Sequence, residues 1–444
     1  MGLLNRLEQA KIEKAVQKKD IVIDKADYFD EYEDFKEQIH AELLDITSVE
    51  PEAGEEAEER LISLIAELVQ NNGDGIPKSV QRVLVQQIYD ETMGLGPLEK
   101  ILKDDSVSEI MVNGPYSIYV ERQGRLELTD VKLKDNRHAL EIVNRIVSQV
   151  GRRCDESSPM VDARLKDGSR VNAVIPPLAL NGPTITIRKF SNRLFQPSNL
   201  IDFGSASFQM LGFLQACVEA RANIIVCGGT GSGKTTLLNI LSGFIPESER
   251  IVTIEDSAEL QLSQQHTVSL ESRPSNAEGR GEVAIRDLVR NVLRMRPDRI
   301  IVGECRAGET LDMLQALNTG HDGSMTTAHA NSARDLIARL ETMVLMSGME
   351  LPIRAIREQI ASAFDLIVNQ ARLKDGSRKI VEISEVVGME SDVVVLQTVF
   401  HFVLERYDST GRAIGAFVPT GIRPRVIEKM EERGIPVQGT WFTA

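Results

Sequence analysis

The feature that most constrains the fold is a glycine-rich segment from Gly228 to Thr235, which reads Gly-Gly-Thr-Gly-Ser-Gly-Lys-Thr. An apolar run from Asn223 to Cys227 precedes it and predicts a buried parallel strand, and apolar residues at helical spacing follow it. This order is that of a P-loop, whose backbone N–H groups turn towards a phosphate chain at a helix N-terminus. The alternative is a glycine-rich turn that fits the pattern by chance, and the flanking strand and helix argue against it.

The P-loop pattern also assigns roles to individual side chains. Lys234 is a point charge expected at the β- and γ-phosphates, and the Thr235 hydroxyl is expected to bind Mg²⁺, which prefers oxygen ligands. The residues predicted to bind the nucleotide are Gly228, Gly229, Thr230, Gly231, Ser232, Gly233, Lys234, Thr235 and Thr236.

Composition excludes several classes of protein. The 51 basic and 66 acidic residues give a net charge of −15, which argues against general binding to nucleic acid or to an anionic membrane. The four cysteines are scattered without a Cys-x-x-Cys pair, so neither a disulfide framework nor a structural zinc site is indicated. No apolar run approaches the roughly twenty residues of a membrane span, and the first ten residues lack the apolar core of a signal peptide. We expect a cytoplasmic protein that reaches a membrane only through partners.

Changes in the hydrophobic period divide the chain into four segments. Residues 1–92 are acidic with apolar residues at helical spacing, which predicts short packed helices. Residues 93–190 alternate strands with one amphipathic helix and predict a small α+β, PAS-like domain, and a polar linker is expected over 191–203. Residues 204–444 form the P-loop domain. The predicted fold class is therefore α/β, with a RecA-like P-loop domain after a smaller α+β domain and a helical segment.

An acidic box follows the next predicted strand. The apolar run Ile251–Ile254 ends in Glu255 and Asp256, and Glu259 lies just beyond. Carboxylates at this end of a strand lie where α/β sheets bind ligands. The alternative is a helix N-cap with exposed acids.

A second apolar strand, starting at Arg299, also ends in an acid. Glu304 follows Gly303 and predicts a Walker B element, whose carboxylate holds a water on Mg²⁺ or orients the attacking water. The predicted metal ligands are thus Thr235, Glu255 and Glu304.

Two further patterns leave alternatives open. The predicted helix from Ile285 to Met295 aligns three arginines in one stripe, which is either a solvated face or a contact with phosphate or a subunit. His321 and His329 flank another strand; they lack a third metal ligand, so we expect nucleotide sensing or a core position.

One octapeptide occurs twice. The letters Ala-Arg-Leu-Lys-Asp-Gly-Ser-Arg run from Ala163 to Arg170 and again from Ala371 to Arg378. The similarity does not extend beyond either copy, so we predict two hairpins with the same turn chemistry around Asp-Gly.

Taken in order, these motifs resemble the type II/IV secretion ATPase superfamily, and most closely the tight-adherence (Tad/Flp) pilus assembly ATPases of CpaF type. The resemblance runs from about Leu95 to the C-terminus. Besides the P-loop, it rests on five segments, Gly151–Asp162, Ile254–Glu259, Leu293–Glu304, Thr319–His329 and Thr420–Pro424.

The resemblance implies a homo-hexameric ring that hydrolyses ATP with Mg²⁺ at the cytoplasmic face of the inner membrane. Its partners would be membrane platform proteins and, indirectly, pilin, with no nucleic acid and no direct membrane insertion. By motif position, Arg170 and Arg188 would approach the phosphates, and Glu259 and Glu304 would handle water and Mg²⁺. His321 and His329 would couple the site to its neighbours. Two alternatives are a nucleotide-gated assembly scaffold and an ATPase that exports protein instead of pilin.

Overall fold

The computed structural model describes residues 32–46, 55–122, 124–190, 195–275 and 280–443. The chain divides into two compact units, each with its own sheet. The first unit comprises residues 1–164 and 171–189, and the second comprises residues 165–170 and 190–444. The predicted acidic segment lies in the first unit, and its first 31 residues lie outside the described ranges.

The described part of the first unit begins with three packed helices, α1 (Glu33–Ile46), α2 (Glu55–Asn72) and α3 (Lys78–Met93). Their apolar faces share a small core that contains Ile39 of α1 and Ile65 of α2. The helical spacing of apolar residues in the sequence predicted this packing, which is confirmed.

A six-stranded sheet forms the rest of the first unit. Its strands are β1 (Val107–Asn113), β2 (Ile118–Arg122), β3 (Arg125–Leu128), β4 (Met160–Arg164), β5 (Arg170–Val174) and β6 (Thr184–Arg188). They lie in the order β3-β2-β1-β6-β5-β4. The helices of this part are α4 (Glu99–Leu102) and α5 (Asn136–Gln149). The Asp135 side chain caps α5 by accepting a hydrogen bond from the His138 N–H, so the helix starts there.

A partly buried ionic cluster lies among the three helices. Lys36 is 1% exposed, and its Nζ is 2.8 Å from both Glu33 Oε2 and Glu91 Oε1. His40 Nε2 lies 3.1 Å from the other Glu91 oxygen. Burial opposes the ionisation of Glu91, but the hydrogen bond with His40 and the charge of Lys36 outweigh it and lower the pKa of Glu91 to about 2.

We expect this cluster to make the bundle sensitive to acid. The folded pKa of Glu91 lies below its ordinary value of 4.5, so its contribution to stability is present above about pH 4.5 and is lost as the pH falls towards 2. The Glu91→Gln variant should lose on the order of 2 kcal/mol of stability at pH 7 and show a flatter acid dependence. Far-UV circular dichroism of the full chain between pH 7 and pH 2 measures this, with Glu67→Gln, an exposed position on α2, as control. Equal acid profiles for Glu91→Gln and wild type would contradict the account.

The second unit is built on a nine-stranded sheet. Its strands are β7 (Ile224–Gly228), β8 (Ile251–Glu255), β9 (Thr267–Glu271), β10 (Arg299–Cys305), β11 (Met325–His329), β12 (Leu366–Arg372), β13 (Arg378–Glu390), β14 (Val393–Tyr407) and β15 (Ala413–Pro419). They lie in the order β15-β14-β13-β12-β7-β11-β10-β8-β9. Strands β12, β7, β11, β10, β8 and β9 run parallel, and β13 to β15 extend the sheet as antiparallel strands. The three strands that the sequence predicted at Asn223, Ile251 and Arg299 are confirmed.

Helices cover both faces of this sheet. They are α6 (Pro197–Asp202), α7 (Phe208–Glu219), α8 (Lys234–Ser242), α9 (Ile285–Val292), α10 (Glu309–Leu317), α11 (Ala333–Leu345), α12 (Ile353–Ala363) and α13 (Val426–Glu432). Alternate residues of β7 enter different cores. Ile224 and Val226 pack on the side of α7 and α8. Ile225 and Cys227 pack on the opposite side, with α9 to α12. The centre of the sheet is thus buried on both faces, which explains the continuous apolar run of β7. Helix α6 lies within the expected linker, and its Leu200 belongs to the first of these cores.

The arginine stripe on α9 is not simply solvated. The Nε atoms of Arg286 and Arg290 each lie 2.7 Å from a carboxylate oxygen of Asp312 on α10. Two of the three arginines therefore fasten α9 to α10, an intramolecular role that neither alternative from the sequence included.

The repeated octapeptide forms two hairpin turns of the same design, as predicted. In the β4–β5 turn, Leu165 N donates to Ser169 O, and Asp167 accepts from the Ser169 N–H. In the β12–β13 turn, Leu373 N donates to Ser377 O, and Asp375 plays the part of Asp167. The shared sequence encodes local turn chemistry, with glycine in the left-handed region at position 168 or 376.

Candidate nucleotide-binding site

The P-loop connects the C-terminal end of β7 to the N-terminus of α8. Gly231 and Gly233 have φ of 71° and 96°, a region that favours glycine, and Lys234 is the first residue of α8. This geometry brings successive backbone N–H groups to the helix N-terminus, where they and the helix dipole favour an anion. The loop has the form that the sequence predicted.

The side chains of Lys234, His329 and Glu304 meet beside the loop. Lys234 Nζ lies 3.2 Å from Gly229 O and 3.4 Å from His329 Nδ1. His329 Nε2 in turn lies 2.8 Å from Glu304 Oε1. Sheet register explains the meeting, because His329 of β11 is opposite Gly228 of β7, and β10 is the next strand.

The hydrogen-bond chemistry of His329 follows from its neighbours. A lysine ammonium only donates, so Nδ1 accepts, and the ring hydrogen of the neutral imidazole is on Nε2, the ring nitrogen nearer Glu304. Burial, followed by the charge of Lys234, lowers the pKa of His329. His329 is thus neutral near pH 7 and connects the P-loop lysine to the Walker B carboxylate.

Two polar atoms at the site are buried without a hydrogen-bond partner within the described ranges. They are Ser232 Oγ in the P-loop and Glu304 Oε1, whose close approach to His329 lacks hydrogen-bond alignment. Buried polar atoms of proteins nearly always have partners, so these two fit polar groups of a bound ligand. Thr235, the second residue of α8, follows Ser232 closely in the sequence and is half-buried.

The acidic box is organised by Glu255. This residue ends β8, is 3% exposed, and accepts hydrogen bonds from the N–H groups of Glu259 and Leu260. Burial raises the pKa of Glu255 to about 7, although the two hydrogen bonds lower it. Gly303 of the neighbouring strand leaves room for it, since a Cβ there would lie 2.8 Å from Glu255 Cγ. Glu255 is therefore not an exposed acid at a helix N-cap, and it holds the loop that carries Glu259.

Arg170 lies against that loop. Its Nη1 is 3.1 Å from Glu259 Oε1; Arg170 is the first residue of β5, but it belongs to the second unit, as Glu259 does. Arg188, the other arginine proposed from the sequence, ends β6 in the first unit and is exposed.

His321 is held elsewhere. Its Nδ1 lies 3.1 Å from the carbonyl oxygen of Ala316 in the last turn of α10. The two histidines therefore have different surroundings, and His329 is the one joined to Lys234 and Glu304.

Arg306 is a site residue that sequence reasoning missed. Its Nη2 lies 2.6 Å from Glu304 Oε2, and its Nη1 lies 3.3 Å from Asp256 Oδ2. Burial disfavours its charged form, but the hydrogen bond with Glu304 and the nearby carboxylates raise the pKa of Arg306. The available signal was a basic residue two positions after the Walker B acid.

A parallel sheet that delivers a P-loop lysine and a carboxylate from a nearby strand to one edge is the construction of P-loop nucleoside triphosphatases. Residues 91–392 match the model of one family in this class, described as "Type II/IV secretion system protein". The chain belongs to that family, and it is an ATPase of the secretion and conjugation type.

Curated relatives agree with this assignment. A Mycobacterium tuberculosis protein named for conjugal transfer is 37% identical over 320 residues, which are 71% of this chain and 90% of the relative. The type IV secretion system protein VirB11 of Bartonella henselae is 32% identical over 340 residues, which are 67% of this chain and 94% of that protein. Among solved structures, the VirB11 ATPase of Brucella suis in complex with sulphate is 30% identical, with a TM-score of 0.37 over 65% of this chain and 95% of that chain.

Proposed function

We propose that this chain is the hexameric motor of a Tad/Flp-type pilus, and that ATP hydrolysis drives pilus assembly or, in the opposite direction, retraction. The observation that carries the proposal is the Lys234–His329–Glu304 arrangement, which equips the site for hydrolysis and not only for binding. The Tad-type assignment is supported by the segment Asp155–Asp162 and the closing Thr420–Pro424, which resemble that subfamily.

Mg²⁺ fits the donor set of this site. We propose that the Thr235 hydroxyl and Glu304 Oε1, which accepts no hydrogen bond from the described residues, hold the ion, directly or through water, because Mg²⁺ prefers oxygen and keeps several waters. Bound Mg²⁺ would neutralise charge on the β- and γ-phosphates. Glu255 is a weaker candidate ligand, since its carboxylate already accepts two backbone N–H groups and its pKa is about 7.

The remaining roles concern transition-state charge and water. We propose that Glu304 orients the attacking water, with Glu259 as the second acid, and that Arg170 and Arg188 contact the phosphates. Arg170 forms an ion pair with Glu259. We propose that it exchanges this ion pair for a contact with phosphate during the hydrolysis cycle. His321 and His329 would link the site to neighbouring protomers. These roles need positioning and charge neutralisation more than covalent chemistry.

The proposed location is the cytoplasmic face of the inner membrane, through contacts with pilus platform proteins. No helix in the described parts of the chain is long and apolar enough to cross a membrane. We propose that membrane proteins recruit the ring, and that pilin is moved indirectly.

Pilus formation in cells tests the proposal. We expect cells that express Glu304→Gln at the wild-type protein level to lack surface pili, because assembly requires turnover. Glu405→Gln, an exposed glutamate on β14, is the matched control and should support normal piliation. Normal pili in Glu304→Gln cells would contradict the motor and favour the nucleotide-gated scaffold. Loss of a secreted protein with normal pili would favour the export ATPase.

A further inference from the structure

The hairpin that joins β12 to β13 packs against the P-loop. The carbonyl oxygen of Gln370 on β12 lies 2.1 Å from where a Cβ on Gly228 would stand, so strand and loop are in direct contact at that glycine. A Cβ on Gly233 would similarly meet Arg378 Cδ at 3.2 Å. The hairpin thus contacts the P-loop at Gly228 and again at Gly233.

Arg378 makes a specific hydrogen bond to the middle of the loop. Its Nε donates to the carbonyl oxygen of Gly231 at 3.0 Å. The next N–H in the chain, that of Ser232, donates to Gly229 O at 3.3 Å. Because the peptide unit is planar and its C=O and N–H point in opposite directions, these two bonds fix one peptide plane of the loop from both sides.

The hairpin itself is well anchored. The carboxylate of Asp375 at its turn accepts hydrogen bonds from Ser377 N at 3.0 Å and from Ala413 N of β15 at 2.7 Å. Gln370 is 3% exposed with an unpartnered Oε1, and its side chain lies within 3.6 Å of the place where a Cβ of Gly233 would stand. A loop braced by such a frame loses less conformational freedom when it binds a phosphate chain.

We propose that Arg378 is a positioning residue for nucleotide binding, which acts through its Nε–H on Gly231 and holds the P-loop in its phosphate-binding form. The proposal rests on ATP use by this family and does not depend on the pilus role. Its consequence is that nucleotide affinity depends on the hydrogen bond and not on the charge of this arginine.

Three substitutions at position 378 separate the hydrogen bond from the charge. The amide nitrogen of glutamine is as many bonds from Cα as arginine Nε, so Arg378→Gln keeps a donor to Gly231 and loses the charge. Lysine has a methylene group at that position and its ammonium lies one bond further out, so Arg378→Lys keeps a charge and loses the donor at the position of Nε. Arg378→Ala removes both, and Lys374→Ala controls for charge at an exposed position of the same hairpin.

The experiment is titration of the full-length variants with ADP, together with kcat and KM for ATP. We expect Arg378→Ala and Arg378→Lys to bind ADP about fivefold more weakly than wild type, the effect of one hydrogen bond. Arg378→Gln and Lys374→Ala should stay within about twofold of wild type. KM for ATP should follow the ADP affinity, while kcat at saturation changes little, a division that a general loss of folded protein would not produce.

Two results would overturn the proposal. Wild-type ADP affinity in Arg378→Ala would mean that the contact with Gly231 has no role in binding. Wild-type affinity in Arg378→Lys combined with loss in Arg378→Gln would mean that the charge, and not the Nε–H, matters. If Arg378→Ala fails to fold, the glutamine and lysine variants still decide between these outcomes. Failure of the pilus assignment would leave every one of these readings unchanged.

Discussion

Replacement of Lys234 by alanine is expected to abolish ATP hydrolysis. Lys234 is 8% exposed at the start of α8, and its ammonium is held by Gly229 O and His329 Nδ1 beside the loop. Its loss removes the positive charge that the β- and γ-phosphates require, and we expect turnover to fall at least about a hundredfold. Steady-state phosphate release from the purified variant measures this.

Lys374→Ala is the control for Lys234→Ala. It removes one lysine from an exposed turn of the same unit, and its turnover should equal that of wild type. The single tryptophan, Trp441, is buried in the core of that unit and reports folding of each variant by fluorescence. Wild-type turnover in a folded Lys234→Ala protein would refute the assignment of the catalytic site.

The Glu304→Gln variant is expected to bind ATP and to hydrolyse it at least about a hundredfold more slowly. Glutamine keeps the shape of the side chain but has no carboxylate to orient a water or to hold Mg²⁺ through water. The substitution also removes the negative charge that pairs with Arg306 and lies beside the His329 ring. Binding should persist, because the P-loop glycines and Lys234 are unchanged.

Nucleotide binding and single-turnover hydrolysis, measured on the same protein, test the second prediction. Glu405→Gln provides the same chemical change at an exposed site on β14 and should behave as wild type. A Glu304→Gln protein that loses ATP binding and hydrolysis together would place the carboxylate in binding instead of in the chemical step. Unchanged hydrolysis would remove Glu304 from the mechanism.

The local sequence was sufficient to predict the central strands β7, β8 and β10 of the second unit. The apolar runs at Asn223, Ile251 and Arg299 are short, continuous and followed by chemistry-bearing residues, so their type and order could be predicted. Their parallel arrangement then brings Glu304 to the loop, as expected of strands whose carboxyl ends share an edge.

Contacts between distant parts of the chain could not be predicted in the same way. Arg378 is 147 residues from Gly231, and nothing in the repeated octapeptide distinguishes it from Arg170. The structure gives the two copies different partners, Gly231 for Arg378 and Glu259 for Arg170. Turn chemistry is local and repeats with the sequence, whereas the partner of an exposed arginine depends on which surface the fold brings beside it.

The buried carboxylate of Glu255 illustrates a second limit. The sequence indicated an acid at the end of a strand, which is equally consistent with a metal ligand and with a capping residue. Its two backbone hydrogen bonds are local, but its burial beside Gly303 depends on how β8 pairs with β10, which is a tertiary property.

Steady-state ATP hydrolysis per protomer, measured across a range of protein concentrations, tests whether this chain is an ATPase whose sites are completed in an assembled ring. Lys234→Ala serves as the blank, and size-exclusion chromatography at each concentration reports the degree of assembly. A ring motor whose sites are completed by neighbours predicts that activity per protomer rises as the protein assembles and then reaches a plateau. Activity per protomer that stays at the level of the blank, while chromatography shows an assembled protein, would contradict the account.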